Sequence, residues 1–160
     1  MSHKYILLGK QPILEPDLLK WALWFEESNR RVMTDIMYVM HKKRVMRIVI
    51  STVFLGLDMG WKQDAPLIFE TMIFGGPMDG DLDRCDTWDH AEGMHLQAVS
   101  EVTNAMRDTY RILCSCRINT DYSGGEIRTG SLIYVSRTAS SHGGRRGKSK
   151  HLASPIYRPG

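Results

Sequence analysis

No apolar run in this chain reaches the roughly 18 residues that a membrane-spanning helix needs, so no such span is expected. Cysteine is scarce and odd in number. Cys85, Cys114 and Cys116 cannot form a complete disulfide framework, which points to a reducing cytoplasm. The opening segment, Met1 to Lys10, is too short and too polar for a secretory leader. There is no Gly-x-Ser-x-Gly nucleophile elbow and no internal repeat, so neither that hydrolase fold nor a solenoid is indicated. Acidic residues are missing from the end of the chain. From Arg137 to Gly160 there are six basic residues and no Asp or Glu; the preceding residues keep 15 Lys and Arg against 18 Asp and Glu, a net of −3. A mildly acidic body therefore carries a basic tail.

What is present is enough for one domain with a real core: 160 residues, 42% hydrophobic and 24% charged. The densest apolar sequence lies between Arg44 and Gly76. Two β-rich runs, Arg44–Leu55 and Leu67–Phe74, flank a polar loop at Trp61–Ala65. Arg31–Met40 alternates as a third strand, with Val32, Thr34, Ile36 and Tyr38 on one side and Met33, Met37 and Val39 on the other. His41-Lys42-Lys43 connects it tightly to the next run, which predicts an antiparallel meander. A short helix is expected from about Pro16 to Glu27, with Leu18, Leu19, Ala22 and Phe25 as its apolar face and Trp21 and Trp24 widening it. Met78–Asp86 reads as an acidic loop. Asp86 or Thr87 then caps a long helix running to Tyr110 or Leu113, whose buried stripe is Trp88, Ala91, His95, Ala98, Val102 and Met106. A hairpin of Arg117–Thr120 and Ser131–Ser136 around Ser123-Gly124-Gly125 comes next. The expected class is α+β: a small antiparallel sheet packed by one long and one short helix. A core domain spans residues 1–116, a hairpin extension 117–136 and a basic tail 137–160.

Four groups of residues carry candidate chemistry. Gly143–Ser149 ends like a phosphate-binding P-loop, but His142 stands where the first glycine belongs and no helix pattern comes after it. The simpler reading of Arg145, Arg146, Lys148, Lys150 and Arg158 is a solvated arm able to touch nucleic acid or another acidic surface. Asp79, Asp81 and Asp83 alternate as in a calcium loop, yet Arg84 and His90 occupy the positions that need Gly and Glu. A looser magnesium or manganese site with Glu70 or Asp58 is the alternative there, against a plain solvated loop. Cys85, His90, His95, Cys114 and Cys116 match no usual zinc spacing. Glu70, mid-strand, and His95, on the helix stripe, form the fourth group. If the helix covers the face of Glu70, a carboxylate and an imidazole meet in partly buried surroundings, as acid–base work or a structural pair.

Three segments together resemble a set found in small uncharacterised proteins of bacteriophages and prophages. They are Thr52-Val-Phe-Leu-Gly-Leu-Asp58, Leu67-Ile-Phe-Glu-Thr-Met-Ile-Phe-Gly-Gly76 and Thr87-Trp-Asp-His-Ala-Glu-Gly-Met-His95. The likeness covers about residues 20–110. It departs at Met59, where members tend to have His, and at His90, where they tend to have Glu. The resemblance implies a viral accessory protein in a bacterial cytoplasm and brings no activity with it. The expected function is non-enzymatic binding of a host or phage macromolecule, inhibition of a host defence or nucleic-acid-processing system being one form of it. The alternatives are a metal-dependent hydrolase or nuclease using Glu70, Asp58 and His95, and a sponge for a nucleotide signal held between sheet and helix. No cofactor and no membrane contact is expected, and nucleic acid is a partner through the tail.

Overall fold

The alternation in Arg44–Phe54 sorts onto two faces. Ile48, Ile50, Thr52 and Phe54 are buried, while Val49, Ser51 and Val53 between them stay half-buried. One side of this strand therefore lies under a covering layer. The computed structural model describes residues 3–60, 65–120 and 126–131. In chain order the elements are β1 (Tyr5–Leu8), β2 (Gln11–Leu14), α1 (Leu18–Glu27), β3 (Arg31–His41), β4 (Arg44–Phe54) and β5 (Phe69–Phe74). A single 3-10 turn (Gly76–Met78), β6 (Leu82–Cys85), α2 (Trp88–Met106), β7 (Arg111–Thr120) and β8 (Glu126–Ser131) complete them. The protein is α+β: an antiparallel sheet ordered β6-β5-β4-β3-β7-β8, a separate β1-β2 hairpin, and two helices.

The expected meander β3-β4-β5 is the middle of this larger sheet. Its flanks differ from expectation. Leu82–Cys85, expected as loop, is an edge strand, with Glu70 opposite Arg84 and Phe69 opposite Cys85. The long helix ends at Met106, short of Tyr110. The chain then enters β7, which lies against β3 with Asp35 opposite Arg117. β7 runs straight through the expected boundary between residues 116 and 117, so the hairpin extension is continuous with the core sheet. The hairpin exists, and its second strand is Glu126–Ser131; residues 132–136 of the expected strand lie outside the described residues. The Trp61–Asp64 part of the predicted loop, the Ser123–Gly125 turn and the whole basic tail lie outside the described residues.

Helix α2 crosses β3, β4, β5 and β6 on the buried face. Its Thr87 cap accepts a hydrogen bond from the His90 amide at 3.3 Å, as its sequence signal suggested. Two apolar clusters meet under it. One gathers Phe54, Phe69, Trp88 and Ala91 with Val32; the other gathers Ile48, Ile50, Ile73, Val102 and Met106. Burying each large side chain here contributes about 1.5–3 kcal/mol. A sharp bend closes β5. Gly75 has φ +82°, and a Cβ there would stand 2.7 Å from the Arg47 carbonyl oxygen, so only glycine fits.

The N-terminal hairpin had no counterpart in the sequence reading. Its β1 strand hydrogen-bonds Gly56, and the Lys10 ammonium reaches Glu92 on α2 at 2.8 Å. Helix α1 is capped by Asp17, whose carboxylate accepts from the Leu19 and Lys20 amides. It rests its aromatic side on the segment after β4. The Trp21 indole donates to the Gly56 carbonyl at 2.9 Å, and Trp24 meets Phe54 edge-on.

Candidate functional site

The two sequence-predicted partners, Glu70 and His95, do not meet. Side chains alternate along β5, so Phe69, Thr71 and Ile73 face the helix while Glu70 faces the other way with Met72 and Phe74. There Glu70 takes both hydrogen bonds of Arg84, at 2.9 and 2.8 Å, and forms a cross-strand ion pair. His95 is completely buried, as its place on the stripe predicted, and its partners are other residues. Its Nε2 donates to Asp35 Oδ2 at 2.7 Å, and its Nδ1 lies 2.7 Å from Thr52 Oγ1. Thr52 in turn bonds Thr71 at 2.6 Å, and Arg117 Nε donates to Asp35 at 2.7 Å. A polar belt thus crosses the sheet in the order Thr71, Thr52, His95, Asp35, Arg117. It passes between the two apolar clusters of the core.

The belt is a structural device. A hydroxyl, an imidazole and a carboxylate in a row have the composition of an acyl-transfer triad. A triad, however, needs its nucleophile at a surface, and here Thr52 is 0% and Asp35 5% exposed. Burial raises the pKa of Asp35. The hydrogen bonds from His95 and Arg117, with the charge of Arg117, outweigh that and hold the carboxyl below the usual carboxylate range. An ionised carboxylate accepts only, which fixes the proton of His95 on Nε2. Every polar side chain in the belt then has its partner, as buried groups require.

The remaining candidates are dispersed. Asp58 Oδ1 accepts from the amides of Gly60 and Leu67, at 2.8 and 3.1 Å, and so closes the turn that leads toward β5. Asp79 accepts from the Gly75 amide at 2.6 Å, holding the glycine bend. Asp81 and Asp83 are exposed beside a shallow cleft under α2. Among the described residues no three His, Cys, Asp or Glu side chains stand close enough to hold a metal ion, so Glu70, Asp58, His95 and the aspartate loop do not assemble as one centre. Cys85 is buried, which pushes its thiol up to about 11 and makes it a poor ligand or nucleophile. His90 pairs with Asp86 at 3.3 Å. Arg145, Arg146, Lys148, Lys150 and Arg158 lie outside the described residues.

What is exposed is more telling. Helix α1 is apolar on two sides. Trp21, Trp24 and Phe25 pack inward, whereas Leu18, Leu19 and Leu23 are 63%, 69% and 53% exposed. Leu19 and Leu23 are one helical turn apart and share a ridge, with Leu18 and Ala22 beside it. Leu8 and Leu14 of the adjoining hairpin are exposed as well. Between residues 15 and 27 the acids Glu15, Asp17, Glu26 and Glu27 outnumber the cation Lys20, and Arg30 beyond the helix end lies over the inward-packed Phe25. The sequence expectation puts Leu18, Leu19, Ala22 and Phe25 on one apolar face widened by Trp21 and Trp24, and the structure divides that face between packed aromatics and exposed leucines. The division arises because a ten-residue helix with two indoles and three leucines offers two apolar faces and only one surface to cover them.

Protein-family models, curated proteins and solved structures were all compared with the chain, and none matches it. Among the described residues, no helix is long and apolar enough to cross a membrane.

Proposed function

We propose that this is a binding protein that docks the outer face of α1 onto a protein partner. The observation that carries this reading is the leucine ridge of α1, left exposed on a helix whose aromatic side is already packed. Exposed contiguous apolar surface of this kind marks interaction sites. The acids around the ridge select the occupant: an apolar groove rimmed by Lys and Arg, entered by the helix through Leu18, Leu19 and Leu23. A second copy of this chain would set acids against acids at the same place, which disfavours self-association through the ridge. The likeness to small bacteriophage and prophage proteins supports a viral accessory role, with the partner in a bacterial host cytoplasm. Inhibition of a host defence or nucleic-acid-processing system is one form such a role takes.

The test pairs capture with reconstitution. Leu19→Asp with Leu23→Asp leaves the melting temperature within a few degrees, because exposed positions shift stability by only about 0.5 kcal/mol each. Wild-type protein should retain a partner from bacterial lysate that the variant loses, and the two purified components should form a complex of defined stoichiometry. Capture of the same proteins by both forms, or self-association of the wild type that the variant abolishes, would overturn the reading.

A further inference from the structure

The hairpin turn between β3 and β4 is built from the wrong residues for its shape. Its two central positions, Lys42 and Lys43, have φ of +45° and +67°, the left-handed geometry of a tight hairpin turn that favours Asn and Gly. Strained positions of this kind concentrate at ligand sites. Both lysines border a cavity of about 680 Å³ between the turn, the end of α2 and the start of β7. Arg107 and Arg111 border it from the other side, and no acidic residue is among the described residues lining it. The floor is apolar, formed by Met106 and Ile112. Tyr110 supplies an aromatic wall, its ring braced from behind by the ring of His41 at 4.6 Å.

We propose that this cavity is a nucleotide-binding site, taking a small ligand that combines an aromatic base with more than one phosphate. Four cations bordering one cavity, with no carboxylate among its described lining residues, call for a multiply charged anion. The apolar floor and the braced tyrosine call for a flat apolar body. The volume lies within the range of about 300–1,000 Å³ usual for small-ligand sites. Arg107 is steadied by its bond to Asn104 at 2.7 Å, which keeps guanidinium donors available at the end of α2. This site lies at the opposite end of α2 from the Trp88 cluster that adjoins the N-terminal hairpin, and it stands independently of the leucine ridge.

The experiment is calorimetric titration of the full chain with adenosine triphosphate, cyclic diadenylate and inorganic triphosphate at low salt. At least one of the two nucleotides should bind saturably at one site per chain, and inorganic triphosphate should bind about tenfold more weakly or worse. Lys42→Asn with Lys43→Gly should weaken the nucleotide by about tenfold or more while raising the melting temperature, because the turn loses its strain together with its charge. Replacing Arg145, Arg146, Lys148, Lys150 and Arg158 with Gln should leave the affinity within about threefold, since that loss would be less than one charge-assisted contact. Absence of binding by both nucleotides, equal binding of inorganic triphosphate, an unchanged affinity in the turn variant, or an equal loss in the tail variant would each overturn the assignment.

Discussion

Asp35 and Glu70 each interrupt an apolar strand, and each holds an arginine across a strand pair. Asp35 points under α2, Glu70 points away from it, and the surroundings of the two diverge accordingly. Under the helix a carboxylate must have all its demands met, and Asp35 has an imidazole and a guanidinium at 2.7 Å. On the other face water meets part of the demand, and Glu70, more exposed than Asp35, is served by one arginine. The same residue chemistry therefore specifies the interior in one case and trims a sheet edge in the other. A buried ionic group is weak evidence of net stability, because desolvation offsets the attraction. Removing one member of such a group is different, since the partner is left unanswered.

The largest effect is expected at Asp35. Asp35→Ala leaves His95 buried without its acceptor and Arg117 without its carboxylate. Loss of one partner of a buried pair costs about 3–5 kcal/mol, and the low end applies because Arg117 can return to water. Thermal unfolding should fall by about 10 °C. Asp35→Asn keeps the volume and an acceptor while losing the charge, and should fall between. A shift of only a degree or two for Asp35→Ala would mean that the belt does not hold the two clusters together.

Acid sharpens the contrast. The folded-state pKa of Asp35 lies below its unfolded value, so its contribution is complete above the unfolded value near about 4 and is lost as pH falls through the folded value. Denaturant melts through the acid range should show the stability gap between wild type and Asp35→Asn narrowing as pH falls below about 4. Glu92 is held low in the same sense, where the bonds from Lys10 and Trp88 outweigh its burial, but it is common to both proteins and cancels from the difference. A gap that fails to narrow below about pH 4 would contradict an ionised Asp35 in the folded protein.

Strand parity explains which of these residues the sequence could reveal. β3 and β4 were legible because apolar and β-branched residues alternate over 11 residues in each, β5 as a shorter apolar run closed by glycines, and α2 because Thr87 caps a regular stripe. His95 came with that stripe. Its partner was legible in principle: Asp35 shares parity with Met33, Met37 and Val39, and an acid inside such a strand is rare enough to demand a partner. The same parity places Glu70 with Met72 and Phe74, away from the side chains that α2 covers. Asp35 was not among the candidates, and the pairing of Glu70 with His95 turned on which face the helix takes. Position in sequence does not decide that. Arg117 was beyond reach for another reason. β7 joins β3 across some eighty residues, and the pairing is fixed by where the end of α2 delivers the chain. The four-residue strands of the N-terminal hairpin carry too little periodicity to be seen.

Glu70 supplies the smallest expected effect and the cleanest control. It stands directly opposite Arg84 on β6, an edge strand of four residues, and both side chains keep contact with solvent. Opposite charges paired across strands contribute about 0.2–1 kcal/mol, and exposure with added salt brings the value toward the lower end. Glu70→Gln should therefore move thermal unfolding by no more than about 3 °C, and a double substitution with Arg84→Gln should move it little further, since the first change already removes the attraction. Because the Glu70 side chain bonds Arg84 on the face opposite the belt, its loss should add to that of Asp35→Asn without coupling. A coupling above about 0.5 kcal/mol in that cycle would show that the two faces of the sheet communicate, and the separation of an inner and an outer carboxylate would fail.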